Sequence, residues 1–187
     1  MKTRLDLYSN TAYKPGNKVK LIVWYLINRL FFNTSFPYPN SFKAKLLKWF
    51  GSSVGTGVIF KPHVNIKYPW FLTIGNHVWI GEKVWIDNLA QVNIDDHVCI
   101  SQQAMLLCGN HNYKKDTFDL MLGEINIQEG AWIGAKSIVC PGVTIHSHAI
   151  LTVGSVATSS LDPNTIYQGN PAKIVRERHS SNQLAYN

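Results

Sequence analysis

From Ile74 onward the apolar positions recur every six residues. The hexads read IGNHVW, IGEKVW and IDNLAQ, slip by two residues at Val92 and Asn93, and continue as IDDHVC and ISQQAM. After an interruption they resume at Ile127 as IQEGAW, IGAKSI, VCPGVT, IHSHAI and LTVGSV. In all ten the first residue is Ile, Leu or Val, and the fifth is Val, Ala or Ser. An amphipathic helix would repeat at three and four residues and a half-buried strand at two. A period of six with a small fifth residue predicts a coil whose units bury an aliphatic column only by stacking on one another.

Ahead of the repeat the pattern changes. Lys18 to Phe32 has an apolar face compatible with a helix. Asn33 to Asn40, NTSFPYPN, breaks it with two prolines. Ser41 is placed to N-cap a second short helix, FKAKLLKWF, which Gly51 would end. The chain thus divides into an N-terminal helical cap at 1–53, a repeat domain at 54–176 with a loop at 112–124, and a polar tail at 177–187. The cap would cover the open first coil, with contact to a membrane or a partner as an additional role.

Composition narrows the class. With 187 residues, 45% hydrophobic and 16% charged, the chain can bury one substantial core and is too short for two ordinary domains. The longest apolar run, Leu21 to Phe32, contains Asn28 and Arg29 and falls short of the roughly 18 residues that span a bilayer. Cys99, Cys108 and Cys140 form no Cys-x-x-Cys pair and read as reduced core or strand residues of a cytoplasmic protein. Charge is uneven: residues 1–61 hold ten Lys and Arg against Asp6 alone, whereas 62–187 hold eight against ten acids. Basic residues interleaved with apolar ones suit an anionic membrane surface at least as well as a phosphate backbone. No zinc finger, RNP motif or recognition helix is present, so no nucleic-acid partner is expected.

The ten hexads resemble those of the hexapeptide-repeat acetyltransferases, which include the serine, maltose and galactoside types. The resemblance implies a mainly β fold, a left-handed parallel β-helix in which three hexads make one coil, with an N-terminal helical cap and an extruded active-site loop. It implies acetyl-CoA as co-substrate and a homotrimer with each site between two prisms. Asn65 to Trp70, Trp79 to Glu82, Trp85 to Leu89, Gly109-Asn110-His111 and Ile166 to Pro171 narrow the likeness to the colanic-acid-type exopolysaccharide O-acetyltransferases. The expected reaction is then acetylation of a sugar hydroxyl, on a free or lipid-linked sugar acceptor, during assembly of a surface polysaccharide. Acetylation of a free small sugar or an antibiotic is the alternative enzyme. A non-catalytic or metal-binding β-helix is the alternative from another class.

The hexad series breaks between Leu106 and Asn126, and long insertions in compact domains are usually functional. His111 stands at the root of that insertion. By the family likeness it is the general base, a neutral imidazole that takes the proton of an attacking hydroxyl. Cys108, nearby, reads as packing. Asn110 and Trp132 are candidate substrate contacts. Asp87 is either a solvated turn carboxylate or a group that orients acceptor or base; the galactoside and maltose type has an amide there. A backbone N–H near Ala135 is the candidate oxyanion donor. The ending Gly169-Asn170-Pro171-Ala172-Lys173-Ile174-Val175-Arg176 matches acetyl-CoA-dependent members and implies Lys173 and Arg176 on the coenzyme's phosphates. By the same likeness Thr158 would meet its pantetheine arm, and Val153 is a further candidate coenzyme contact. Ser159 stands where many members carry Lys, so one cation is missing, and Lys136 is the candidate substitute. His97, His146 and His148 lack the ligand spacing of the zinc-binding β-helices, and no metal is expected.

Overall fold

One hexad supplies one short strand and one corner, and that unit repeats through the computed structural model, which describes residues 2–179. Of the tail read at 177–187, residues 180–187 lie outside the described residues. Each of the first five coils sends one strand to each of three parallel sheets, and the last sends one to sheet B. Sheet A contains Ser53–Val54, Leu72–Ile74, Val92–Ile94, Ile125–Ile127 and Thr144–Ile145. Sheet B contains Ile59–Phe60, Trp79–Ile80, Cys99–Ile100, Trp132–Ile133, Ile150–Leu151 and Thr165–Gly169, and ends in the antiparallel strand Ala172–Glu177. Sheet C contains Asn65–Ile66, Trp85–Asp87, Met105–Leu107, Ile138–Val139 and Val156–Ala157. The result is a mainly β solenoid of about six turns under a short helical region.

The first hexad residues, from Ile74 through Ile100 to Leu151, are buried and form the column the pattern predicts. Fifth-position residues such as Val78, Ala104, Ser137 and Ala149 are buried at the corners. One rule was not visible in the sequence: the fourth position is left-handed at almost every corner. His63, His77, Lys83, His97, Gln103, Lys136 and His148 all have φ between 55° and 61°. Outside glycine, histidine is among the residues that tolerate this region best. Four of the chain's seven histidines therefore serve corners. At Gly130 a side chain would strike the His148 ring, and His77 and His97 stack at 5.3 Å.

Ser53 pairs with Thr73 and Thr73 with Asn93, twenty residues on each time, whereas Asn126 pairs with Thr144, eighteen on. The two extra residues sit at the corner between sheets C and A. The slip read at Val92 and Asn93 is accommodated there, and Val92 and Asn93 themselves are regular strand residues. Between coils three and four the same corner expels the long insertion. Loop and slips share one edge of the prism.

The helices form as expected, with differences at their ends. α1 spans Lys18–Ile27, starts on Asn17, whose side chain accepts from the Val19 N–H at 2.8 Å, and continues as a π turn over Asn28–Phe32. α2 spans Asn40–Trp49 and Gly51 follows it at φ 99°. Ser41 does not cap α2: it lies inside the helix, no side chain caps the start, and Asn40 instead accepts from the Phe60 N–H at 2.9 Å. Trp24 is buried against Phe32 and Phe50 and donates to the Ile66 carbonyl at 2.9 Å. Lys43, part of a basic cluster in the sequence, is 1% exposed, with Nζ 3.4 Å from the Phe60 carbonyl and above the Phe32 ring. Burial pushes its ammonium pKa down.

Candidate active site

The insertion is a hairpin, Gly109–His111 paired antiparallel with Leu120–Leu122. It is pinched where the Gly123 N–H donates to the Cys108 carbonyl at 2.9 Å. A Cβ on Gly123 would meet the Gly142 nitrogen at 2.4 Å, so the chain can re-enter the stack here only as glycine. His111 thus lies on the first strand of the hairpin, opposite Leu120, and Asn110 Oδ1 accepts from the His111 N–H at 2.8 Å.

The imidazole is held on two sides. Its ring stacks on Phe118 at 4.4 Å with 6° between planes, and Tyr8 meets it edge-on at 5.6 Å. Nδ1 lies 2.9 Å from the Phe118 carbonyl oxygen. A carbonyl only accepts, so Nδ1 carries a proton, and in the neutral ring the lone pair is on Nε2. Phe118 has φ 52°, unusual for a bulky residue, and this backbone turn directs both its ring and its carbonyl at His111. Lys115 and Thr117 bind Asp119 at 2.8 and 2.6 Å and brace the hairpin tip. Nothing in the sequence singled out Phe118 or Tyr8.

Tyr8 belongs to an N-terminal strap laid along the edge between sheets C and A. Trp70 donates to the Pro15 carbonyl at 2.6 Å, Tyr13 to the Leu89 carbonyl at 2.6 Å, and the Arg4 N–H to the Asp116 carbonyl at 2.8 Å. Its sequence is aperiodic, so no pattern could pair it with the hairpin.

On the same edge Asp87 follows a buried Ile86, and its Oδ1 is closed off from solvent 2.8 Å from Lys67 Nζ, without hydrogen-bond geometry. Asn88 beside it is structural: wholly buried, it binds the Tyr68 N–H and carbonyl across to the previous coil. Burial pushes the Cys108 thiol up to about 11, so at neutral pH it is the protonated form that packs there. Thr158 is exposed on this edge, two coils beyond the hairpin.

The other candidates lie elsewhere. Ala135 and Val153 stack at the edge between sheets B and C, where the Gly154 N–H donates to the Ala135 carbonyl at 2.8 Å. The Ala135 N–H makes no hydrogen bond among the described residues, and the same holds for the equivalent corner residues Gln102 and Val153. Lys136 is exposed beside Ala135. Lys173, paired with Gln168, reaches this edge from the last strand, and Arg176, paired with Ile166, is exposed on sheet B. Trp132 is 46% exposed on sheet B and donates to Ser101 Oγ at 2.9 Å. Within one chain, then, Asp87, Asn110, His111 and Thr158 share one edge, while Trp132, Ala135, Val153, Lys173 and Arg176 occupy sheet B and the next edge. His146 binds Gln128 at 3.1 Å, and no group of three or more metal-ligating side chains converges among the described residues.

No protein-family model matches the chain. A protein of Escherichia coli K12 named as a colanic acid biosynthesis acetyltransferase, WcaF, is 34% identical over 167 residues, covering 89% of this chain and 92% of the relative. The galactoside O-acetyltransferase of the same organism is 27% identical over 158 residues, covering 83% and 78%. Among solved structures, a galactoside acetyltransferase in complex with coenzyme A superimposes with a TM-score of 0.79 at 24% identity, covering 90% of this chain and 86% of that one.

Proposed function

Since the chain belongs to the hexapeptide-repeat acetyltransferases, with a colanic-acid-type relative over most of its length, we propose that it transfers the acetyl group of acetyl-CoA to a sugar hydroxyl in surface-polysaccharide or related glycan synthesis. The observation that carries the reading is the His111 imidazole, hydrogen-bonded at Nδ1 to the Phe118 carbonyl, which leaves Nε2 to serve as the base in this reading. In this mechanism Nε2 takes the proton of the acceptor hydroxyl as its oxygen attacks the thioester carbon. A C–O bond forms, and a backbone N–H such as that of Ala135 stabilises the oxyanion. Collapse breaks the C–S bond, and the imidazolium returns its proton to the departing thiolate. No acyl-enzyme is required, in keeping with the raised Cys108 pKa.

The two groups of candidate residues occupy different edges of one prism, so in this reading a neighbouring copy completes each site, as in a homotrimer. One subunit contributes His111 and Asp87; its neighbour contributes the Trp132, Ala135 and Lys173 side. The enzyme works in the cytoplasm on a sugar that is free or lipid-linked, with Asp87 orienting the acceptor.

Two outcomes test the parts. Lys173→Ala with Arg176→Ala is expected to raise the KM for acetyl-CoA roughly tenfold, more at low salt, and to leave kcat nearly intact. A pure kcat defect would remove both cations from coenzyme binding. Phe118→Ala keeps the carbonyl but loses the stack. Its kcat is expected to fall roughly ten- to a hundredfold with little change in KM, and Phe118→Tyr to recover most of it. Equal losses in both variants would argue against a positioning role.

A further inference from the structure

α1 is apolar on two opposite faces, and the prism covers only one. At about 100° per residue, Trp24 and Asn28 point inward, onto the Ile66 carbonyl and Asn65. Val19, Ile22, Val23, Leu26 and, one turn on, Leu30 point the other way and are 68, 62, 41, 53 and 60% exposed. A helix that is apolar all round is ordinarily buried all round. Five large aliphatic side chains on one ridge exceed what scattered exposure explains.

We propose that this outer ridge seats the protein on an anionic lipid bilayer, with α1 lying in the plane of the interface. Charge selects that occupant. Residues 1–61 carry ten cations, of which Lys43 is buried, against one acid, with exposed Lys18 at the start of α1 and exposed Arg29 on the π turn that continues it. A second copy would bring the same positive excess to the contact and be repelled, whereas an anionic headgroup layer attracts it. No helix among the described residues is long and apolar enough to cross a membrane, so the ridge lies on the surface. Trp24 and Lys43 are buried and take no part in this contact.

Seating α1 in this way has a consequence for the acceptor, which alone rests on the reaction proposed above. On the flank of α1, Tyr25 and Arg29 open onto a cavity of about 390 Å³ that also contacts Lys67, Trp85 and Asp87. Aromatic faces, amides and the Arg29 guanidinium suit a sugar carried on a phosphate, with Lys67 already paired to Asp87. The cavity would open beside the headgroups, where a lipid-linked glycan presents its sugar.

The test is co-sedimentation of the full chain with vesicles of phosphatidylcholine alone and of phosphatidylcholine with phosphatidylglycerol, at low and high salt. Wild type is expected to bind the anionic vesicles, less at high salt, and Ile22→Glu with Leu26→Glu to lower that binding at least tenfold without changing Tm or solution mass. Arg29→Gln is expected to lower it less. No binding by wild type, equal binding by the ridge variant, or a change of mass in that variant would overturn the proposal; the last would assign the ridge to a second copy. Vesicle binding needs neither coenzyme nor acceptor, so a failure of the acetyl-transfer reading would leave this result standing.

Discussion

Replacing His111 with Ala is expected to lower turnover by roughly 10²–10⁴, the usual weight of a general base, while the protein folds and binds acetyl-CoA as wild type does. The imidazole is on an extruded hairpin rather than in the aliphatic column, so its loss leaves the coils packed. Its contacts suit that role: Nδ1 is hydrogen-bonded to a carbonyl, Nε2 has no partner among the described residues, and the ring is gripped by Phe118 and Tyr8. Steady-state kinetics with coenzyme affinity measured separately by calorimetry distinguishes the two effects. Near-normal turnover would take His111 out of the mechanism. Lost coenzyme binding with unchanged saturated turnover would make it a binding residue.

The second large effect concerns stability. Lys43→Glu should cost about 3–5 kcal/mol, the range for an uncompensated buried charge. Its carboxylate would face the Phe60 carbonyl and the Phe32 ring in place of an ammonium. Lys43→Met, which keeps the length and apolar contact of the stem, should stay within about 1.5 kcal/mol of wild type. The pH dependence has a definite sign. Burial lowers the folded pKa of Lys43, so the unfolded chain binds the proton more tightly. The cost of the buried ammonium is fully present below the folded pKa and is relieved as pH rises through it towards the ordinary lysine value. Met should abolish that rise. Denaturant melts from neutral to alkaline pH check all three statements, and a Glu variant as stable as wild type would show that Lys43 is not confined.

The column of Ile and Val was legible because burial alone dictates it: one face, one residue in six, whatever lies at the corners. The loop was legible as a break in that column, and His111 as the titratable residue at its root. What was not legible depends on contacts between segments with no shared periodicity. The strap that brings Tyr8 to His111 is held by single hydrogen bonds from Tyr13 and Trp70 to carbonyls, and such bonds leave no pattern. Phe118 matters through its φ and its carbonyl, which a residue letter does not encode. Lys43 illustrates the opposite failure. Its place among Lys45, Lys48 and Trp49 reads as a basic surface, yet the helix turns it inward under Phe32 while Lys45 and Lys48 face out. The repeat also explains why Trp132 follows the hairpin in sequence but lies on another face: one strand and one corner separate them, and each corner turns the chain onto the next sheet.

Acetyl transfer to a sugar is measured directly with purified protein, acetyl-CoA and a panel of free, nucleotide-linked and lipid-linked sugars, following coenzyme A release and acceptor mass together. At least one sugar is expected to gain a single acetyl group in step with coenzyme A release, and His111→Ala to remove both signals. Transfer to a sugar that survives in His111→Ala at the wild-type rate, or coenzyme A release with no acetylated sugar anywhere in the panel, would contradict the proposed reaction.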